Sequence, residues 1–204
     1  MKTILIWLGS LVLGALIGGM SALWMGGIMP GSPKLGNALE INGWVSDWSI
    51  GSKSANPYVR ARVARNGLLG LAKEEAVYFI KREDDDGARL REACIYRVSG
   101  GNFPADWWSI TLYDNKNRLP MNSDEKLSLD QTQTDLAFDI GDQWWFNVAA
   151  KAPDDHTALW VSSRGAEEFD LTLRLYRPSD SLLATPENVL VPPSVERLSC
   201  AEGA

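Results

Sequence analysis

The chain has 204 residues, 45% hydrophobic and 23% charged, which excludes a disordered polymer and fits one or two folded domains. Its 26 acidic residues outnumber 20 lysines and arginines, and the net charge of −6 argues against a phosphate-binding surface, so nucleic acid is not an expected partner. One histidine and two cysteines exclude multi-histidine and cysteine–histidine zinc centres, and no metal or cofactor is expected.

The N-terminus sets the expected location. No charged residue occurs from Thr3 to Met29, and Ile4 to Met25 is a continuous 22-residue apolar run. As a helix that run is long enough to cross a hydrocarbon layer of about 30 Å. A cleaved signal peptide would need a small-residue processing site, and Gly19-Met20-Ser21 is a poor one because Leu23, Trp24 and Met25 continue the apolar run. No cysteine lies there for a lipoprotein route. The expectation is an uncleaved signal anchor over residues 1–29, with Lys2 on the cytoplasmic side of the inner (cytoplasmic) membrane and the rest of the chain in the periplasm. Lys34, on the far side of the helix, weakens that charge bias. Ser10, Gly14, Gly18 and Ala22 recur every four residues, a small-residue stripe that could pair two such helices into a homodimer. Pro30, Gly31, Ser32, Pro33 and Gly36 mark a linker over residues 30–37. One domain is expected over residues 38–204.

Asn56-Pro57 reads as a helix start, asparagine as the cap and proline at the first helical position. Val59, Val63, Ala64 and Leu68 can face a core, Arg60, Arg62 and Arg65 fall on other faces, and Gly67 ends the helix. The period then changes to two. Strands are expected at 76–81 and 93–98, joined by a hairpin turn at Asp85-Asp86-Gly87, and at 107–113, 136–140, 144–149, 158–161 and 169–177. Many short strands and one helix point to a mainly β fold, a jelly-roll-like antiparallel β-sandwich.

Two strands carry a second message. Neighbours along a strand point to opposite faces. One face of 107–113 holds Trp108, Ile110 and Leu112, the other Trp107, Ser109, Thr111 and Tyr113. One face of 170–177 holds Leu171, Leu173 and Leu175, the other Asp170, Thr172, Arg174 and Tyr176. If both strands share a sheet, their second faces form one surface of rings, hydroxyls and a guanidinium.

The blocks Ala105-Asp106-Trp107-Trp108-Ser109-Ile110-Thr111-Leu112-Tyr113-Asp114, Leu171-Thr172-Leu173-Arg174-Leu175-Tyr176-Arg177-Pro178 and Pro192-Pro193-Ser194-Val195-Glu196-Arg197-Leu198 resemble, in order and spacing, domain-of-unknown-function family 1214. Asn56-Pro57-Tyr58-Val59-Arg60-Ala61 and Glu75-Ala76-Val77-Tyr78-Phe79 match the same pattern. The family is usually the C-terminal half of larger bacterial envelope proteins, and the resemblance implies a jelly-roll-like sandwich with no established catalytic set. Here a membrane segment stands where those proteins carry a preceding domain.

Cys94 and Cys200 would both lie in an oxidising compartment and are expected to form a disulfide. Trp107, Thr111, Tyr113, Arg174 and Tyr176, joined by Arg97, form the candidate ligand-binding surface. Rings stack on the C–H faces of a sugar, and Arg and Thr supply hydrogen bonds. A buried arginine would need a carboxylate, with Asp170 or Asp106 as candidates. Trp144-Trp145 should send one ring inward and one outward. Asp84-Asp85-Asp86-Gly87 lacks the calcium-loop spacing and reads as a solvated turn. Asp154-Asp155-His156 lacks triad geometry, and His156 reads as an exposed loop residue. There is no nucleophile elbow, Walker loop or dinucleotide fingerprint, so no catalytic residue is assigned. The leading expectation is a membrane-anchored, non-catalytic binding or envelope accessory module. The alternatives are a carboxylate-dependent envelope hydrolase and a purely structural dimer.

Overall fold

The structure, a computed structural model, describes residues 2–33, 35–52, 55–65, 71–139, 143–155 and 157–201. Gly67, Leu68, Ile140, His156 and Lys34, for which the sequence raised expectations, lie outside them.

Helix α1 (Lys2–Met25) is long and apolar enough to cross a membrane. It is followed by strands β1 (Ala38–Ile41) and β2 (Trp44–Asp47), helix α2 (Pro57–Arg65), and strands β3 (Ala76–Lys81), β4 (Cys94–Gly100), β5 (Ala105–Asp114) and β6 (Ser128–Asp130). Then come helix α3 (Gln131–Ala137), β7 (Trp144–Ala149), β8 (Trp160–Ser162), β9 (Phe169–Pro178), the short helices α4 (Asp180–Ala184) and α5 (Pro186–Val189), and β10 (Ser194–Cys200).

The fold is mainly β and two-layered. One sheet has six strands in the order β1-β2-β3-β9-β5-β6, the other four in the order β10-β4-β7-β8. Their inner faces meet in one apolar core. Ile110, Leu112, Leu171, Leu173, Phe79 and Trp44 come from the six-stranded sheet, and Tyr96, Val98, Phe146, Val148 and Val161 from the other. Rings bridge the layers: Trp108 of β5 stacks on Trp144 of β7 at 4.4 Å, and Tyr96 of β4 meets Phe169 of β9 edge-on at 5.8 Å. Trp44 closes one margin, its indole N–H donating to the Pro193 carbonyl at 2.8 Å. That bond satisfies a polar atom in an otherwise apolar site.

Three expectations are corrected. The sandwich is not wholly antiparallel, because β7 and β8 pair in parallel, the chain returning from one end of the sheet to the other through the segment before β8. Residues 136–139 are not a strand. Asp130 accepts from the Gln133 N–H and Gln133 reaches back to the Asp130 N–H, a reciprocal cap that starts α3. Leu136 consequently points into solvent. And β3 is not hairpin-paired with β4. The turn at 84–87 forms, with Gly87 at φ +83 and a bridge between Glu83 and Arg89, but the flanking strands join different sheets.

That turn is a latch rather than a solvated loop. Asp84 is buried, and its Oδ1 accepts the N–H groups of Asp86 (3.1 Å) and Ala88 (2.8 Å). Asp85 accepts from buried Lys81 at 2.8 Å on one side and from the Ser194 hydroxyl and Val195 N–H, both 2.8 Å, on the other, so it ties β3 to the start of β10. Burial would raise the Asp85 carboxyl, but the bonds from Lys81, Ser194 and Val195 and the Lys81 charge outweigh it and hold the group below the ordinary carboxylate range.

Helix α2 starts where its sequence indicates. The Asn56 side chain accepts from the Tyr58 N–H at 2.9 Å, and Val59 is buried. Arg62 donates to the carbonyls of Met25 (2.7 Å) and Pro33 (2.7 Å), and Arg65 to Gly27 (2.7 Å), so α2 caps the end of α1. Cys94 and Cys200 are bonded, fastening the end of β10 to its register partner on β4.

Candidate functional site

Strands β5 and β9 are adjacent and antiparallel, which puts their polar faces on one surface. Trp107 pairs with Tyr176, Ser109 with Arg174, Thr111 with Thr172 and Tyr113 with Asp170. The next strand, β3, sets Tyr78 opposite Arg174. This is the outer face of the six-stranded sheet, since the intervening leucines fill the core.

Arg174 occupies its centre. Its long side chain leans diagonally, donating from Nη1 to Thr111 Oγ1 at 2.9 Å and from Nη2 to the Tyr113 hydroxyl at 2.7 Å. The guanidinium carbon lies 5.4 Å from the Tyr113 ring centre and 6.0 Å from that of Tyr78. Burial raises the Tyr78 hydroxyl above its ordinary pKa, reinforced by Tyr176 and opposed by Arg174, so it stays protonated at neutral pH. One step along both strands from the Ser109–Arg174 pair, about 7 Å and in the direction away from Thr111 and Tyr113, Trp107 and Tyr176 meet at 5.2 Å with planes tilted 54°. The Trp107 indole N–H donates to Thr132 of α3 at 3.3 Å. Trp107, Thr111, Tyr113, Arg174 and Tyr176 are all half-buried, so neither an apolar layer nor open solvent covers the face completely.

The carboxylates expected for Arg174 are engaged elsewhere. Asp170, buried at the far end of the same face, pairs with Arg82 at 3.2 Å and Arg89 at 2.7 Å. Asp106 pairs with Arg177 at 3.1 Å. Among the described residues no carboxylate pairs with Arg174, which meets neutral hydroxyls and rings instead.

Arg97 does not join this surface. It lies on β4, in the other sheet, and its guanidinium covers the ring of Trp145 at 4.7 Å on the opposite side of the sandwich. The two strands were separated when the chain changed sheets at 84–87. Trp144 points inward and Trp145 outward, the latter 36% exposed. Ser10, Gly14, Gly18 and Ala22 lie along exposed α1, with open space beside Gly14 and Gly18. Among the described residues no cluster of three or more His, Cys, Asp or Glu side chains could hold a metal. Asp114 resembles Asp85: burial raises it, but N–H donors of Arg118 and Lys116 and the Arg118 side chain outweigh that and lower its pKa. Both shifts run opposite to what a general acid requires.

Tyr78 is the member of the site that sequence reasoning missed. Its parity on β3 was readable, but which strand lies beside β3 was not.

Comparison with solved structures agrees with the fold. The chain is similar to the crystal structure of the VPA0106 protein from Vibrio parahaemolyticus, with a TM-score of 0.55 and 23% identity over 72% of this chain and 36% of that one. An uncharacterised protein from Burkholderia cenocepacia matches with a TM-score of 0.43 and 14% identity, over 61% of this chain and 30% of that one. The chain thus spans about a third of the length of those proteins. No curated protein matches. The family described as "Protein of unknown function (DUF1214)" matches residues 75–180, the stretch that carries β3 through β9 and just over half of the chain, and the protein belongs to that family.

Proposed function

We propose that this protein is a binding module, held in the inner membrane by α1 with its sandwich in the periplasm, and that the outer face around Arg174 takes an acidic saccharide. The observation that carries the reading is the state of Arg174. A half-buried guanidinium is held in place by two hydroxyls while its charge is met by no carboxylate among the described residues. A fixed, uncompensated fork of donors suits a carboxylate or phosphate on a ligand. The tilted pair Trp107–Tyr176, on the side of Arg174 away from Thr111 and Tyr113, offers an apolar platform for the C–H face of a sugar ring.

The location rests on two further supports. Helix α1, 24 residues long, would reach about 36 Å. The Cys94–Cys200 bond fits an oxidising compartment. A phosphatase fused to the C-terminus should be active, and a fluorescent protein that matures only in the cytosol should be dark there; the reverse pattern refutes the orientation.

The ligand reading is tested by titrating tryptophan fluorescence of the full chain in detergent with a uronate-containing disaccharide and with its neutral reduced analogue. The acidic sugar should give a saturable change, at least about tenfold weaker in Arg174→Ala and in Trp107→Ala, where a lost charge-assisted contact is worth about 1.5–3 kcal/mol. Equal binding of both sugars, or undiminished binding by folded Arg174→Ala, refutes it.

A further inference from the structure

A second site lies inside the sandwich rather than on its face, and it rests on none of the assignments above. Where β5 and β7 begin, the two sheets part and α3 roofs the gap, leaving a cavity of about 300 Å³. Four aromatic side chains line it, with Ala105 and the polar Asn102, Gln131 and Thr134 between them. Phe103 meets Trp108 edge-to-face at 5.4 Å and an interplanar angle of 84°, and approaches Trp144 at 5.9 Å. Trp108 and Trp144 stack on each other at 4.4 Å. Phe138, at the end of α3, also lines the cavity and meets the Trp145 ring at 6.2 Å.

The rim is acidic. Asp135 stands on the last turn of α3 and Asp139 four residues further on, and both border the cavity. Among the described residues, no lysine, arginine or histidine lines it. In a chain with 20 basic residues, many of them paired to carboxylates on the surface, a cavity with two acids and no base has a defined electrostatic sign. Ring faces carry negative quadrupole potential, so a ring face met by the guest acts in the same sense as the acidic rim. Neutral sugars would leave the charge of the two carboxylates unmatched, and anions would be repelled by the rim.

We infer that this cavity binds a small organic cation with an apolar body, of the alkylammonium class. The rings take the methyl or methylene groups, and Asp135 and Asp139 supply the counter-charge. The volume suits a compact guest, as it lies at the low end of the range for small-molecule sites.

The test uses choline and its uncharged isostere 3,3-dimethyl-1-butanol, titrated into the full-length protein in detergent and followed by tryptophan fluorescence and calorimetry. Choline should bind saturably, at least about tenfold more tightly than the isostere. Asp135→Asn with Asp139→Asn should abolish that preference while leaving the near-ultraviolet dichroism of the Trp108–Trp144 stack in place. Phe138→Leu should weaken choline at least about threefold with the acids intact. Both acids are exposed, so the double variant should fold. No saturable choline binding, equal affinity for the isostere, or a double variant that keeps the preference overturns the inference. The acidic-sugar titration is a separate experiment on the opposite surface of β5, so either result can fail without the other.

Discussion

Removing the Cys94–Cys200 bond should cost the domain about 4.7 kcal/mol, and the whole of that loss should come from the unfolded chain. The cysteines are separated by 106 positions, and closing a loop of that length removes about this much conformational freedom from the denatured ensemble at 25 °C. The native state has little reason to change. Cys94 and Cys200 are register partners in the β4–β10 ladder, which runs on through Arg197↔Tyr96, Glu196↔Arg97, Val195↔Val98 and Ser194↔Ser99. Asp85 separately holds the first residues of β10. In a domain of this size each kcal/mol moves the melting temperature by about 2–4 °C, so Cys94→Ala/Cys200→Ala should melt about 9–19 °C below wild type. Urea unfolding in detergent without reductant should show two signatures together, a lower midpoint and a larger m-value, because the uncrosslinked unfolded chain is more expanded. Native amide exchange in β10 should keep its protection. A loss under about 1 kcal/mol refutes the argument, and so does a full loss with an unchanged m-value and a rapidly exchanging β10. The latter would mean that the bond holds the strand in place rather than restricting the unfolded chain.

Other outcomes follow from single positions. A Cβ at Gly100 would lie 2.6 Å from Cζ2 of Trp144, a ring already packed against Trp108 and Phe103, so Gly100→Ala should cost about 1–3 kcal/mol in urea unfolding and alter the near-ultraviolet dichroism. The lowered carboxyl of Asp85 stabilises the fold above its unfolded pKa of about 4, and that contribution is lost as pH falls through the folded value. Asp85→Asn should therefore flatten the decline of thermal stability below about pH 4; an unchanged acid limb in the variant counts against the latch. Asp170→Ala leaves Arg82 and Arg89 without their shared buried carboxylate and should cost about 2–4 kcal/mol in chemical unfolding.

Much of the fold was legible where burial alternates. Strands β3, β4, β5, β7 and β9 put every second side chain into one core, and that alternation is what the sequence displays. Of the strands that were missed, β10 lacks it. On β10 only Val195 is buried, so its place is set by the β4 ladder, the disulfide and Asp85 rather than by an apolar face. The β1–β2 hairpin did carry a local signal. Asn42 and Gly43 sit at φ 49 and 77, as a two-residue mirror-image turn requires, and Asn-Gly is the pair that tolerates it. At 136–139 the reading failed in the other direction. Leu136, Phe138 and Ile140 alternate like a strand, but alternation without a sheet edge to pair with is weaker than a reciprocal cap, and Asp130 with Gln133 starts a helix instead.

The site divides along a similar line. Parity along a strand is local, so Trp107, Thr111, Tyr113, Arg174 and Tyr176 could each be placed on a polar face from sequence. Which faces coincide depends on which strands are neighbours, and that is fixed by contacts far apart in the chain. Arg97 and Tyr78 make the point as a pair. Both lie on strands flanking the same Asp-rich turn, and both alternate with core residues. The turn at 84–87 does not fold β4 back onto β3. It hands β4 to the opposite sheet, because Asp85 is bound to β10, and β10 is itself paired with β4. Tyr78 therefore stands beside Arg174, while Arg97 ends on the far side of a filled core. The aspartates that looked like the least structural residues in the chain thus help decide which arginine the aromatic face receives.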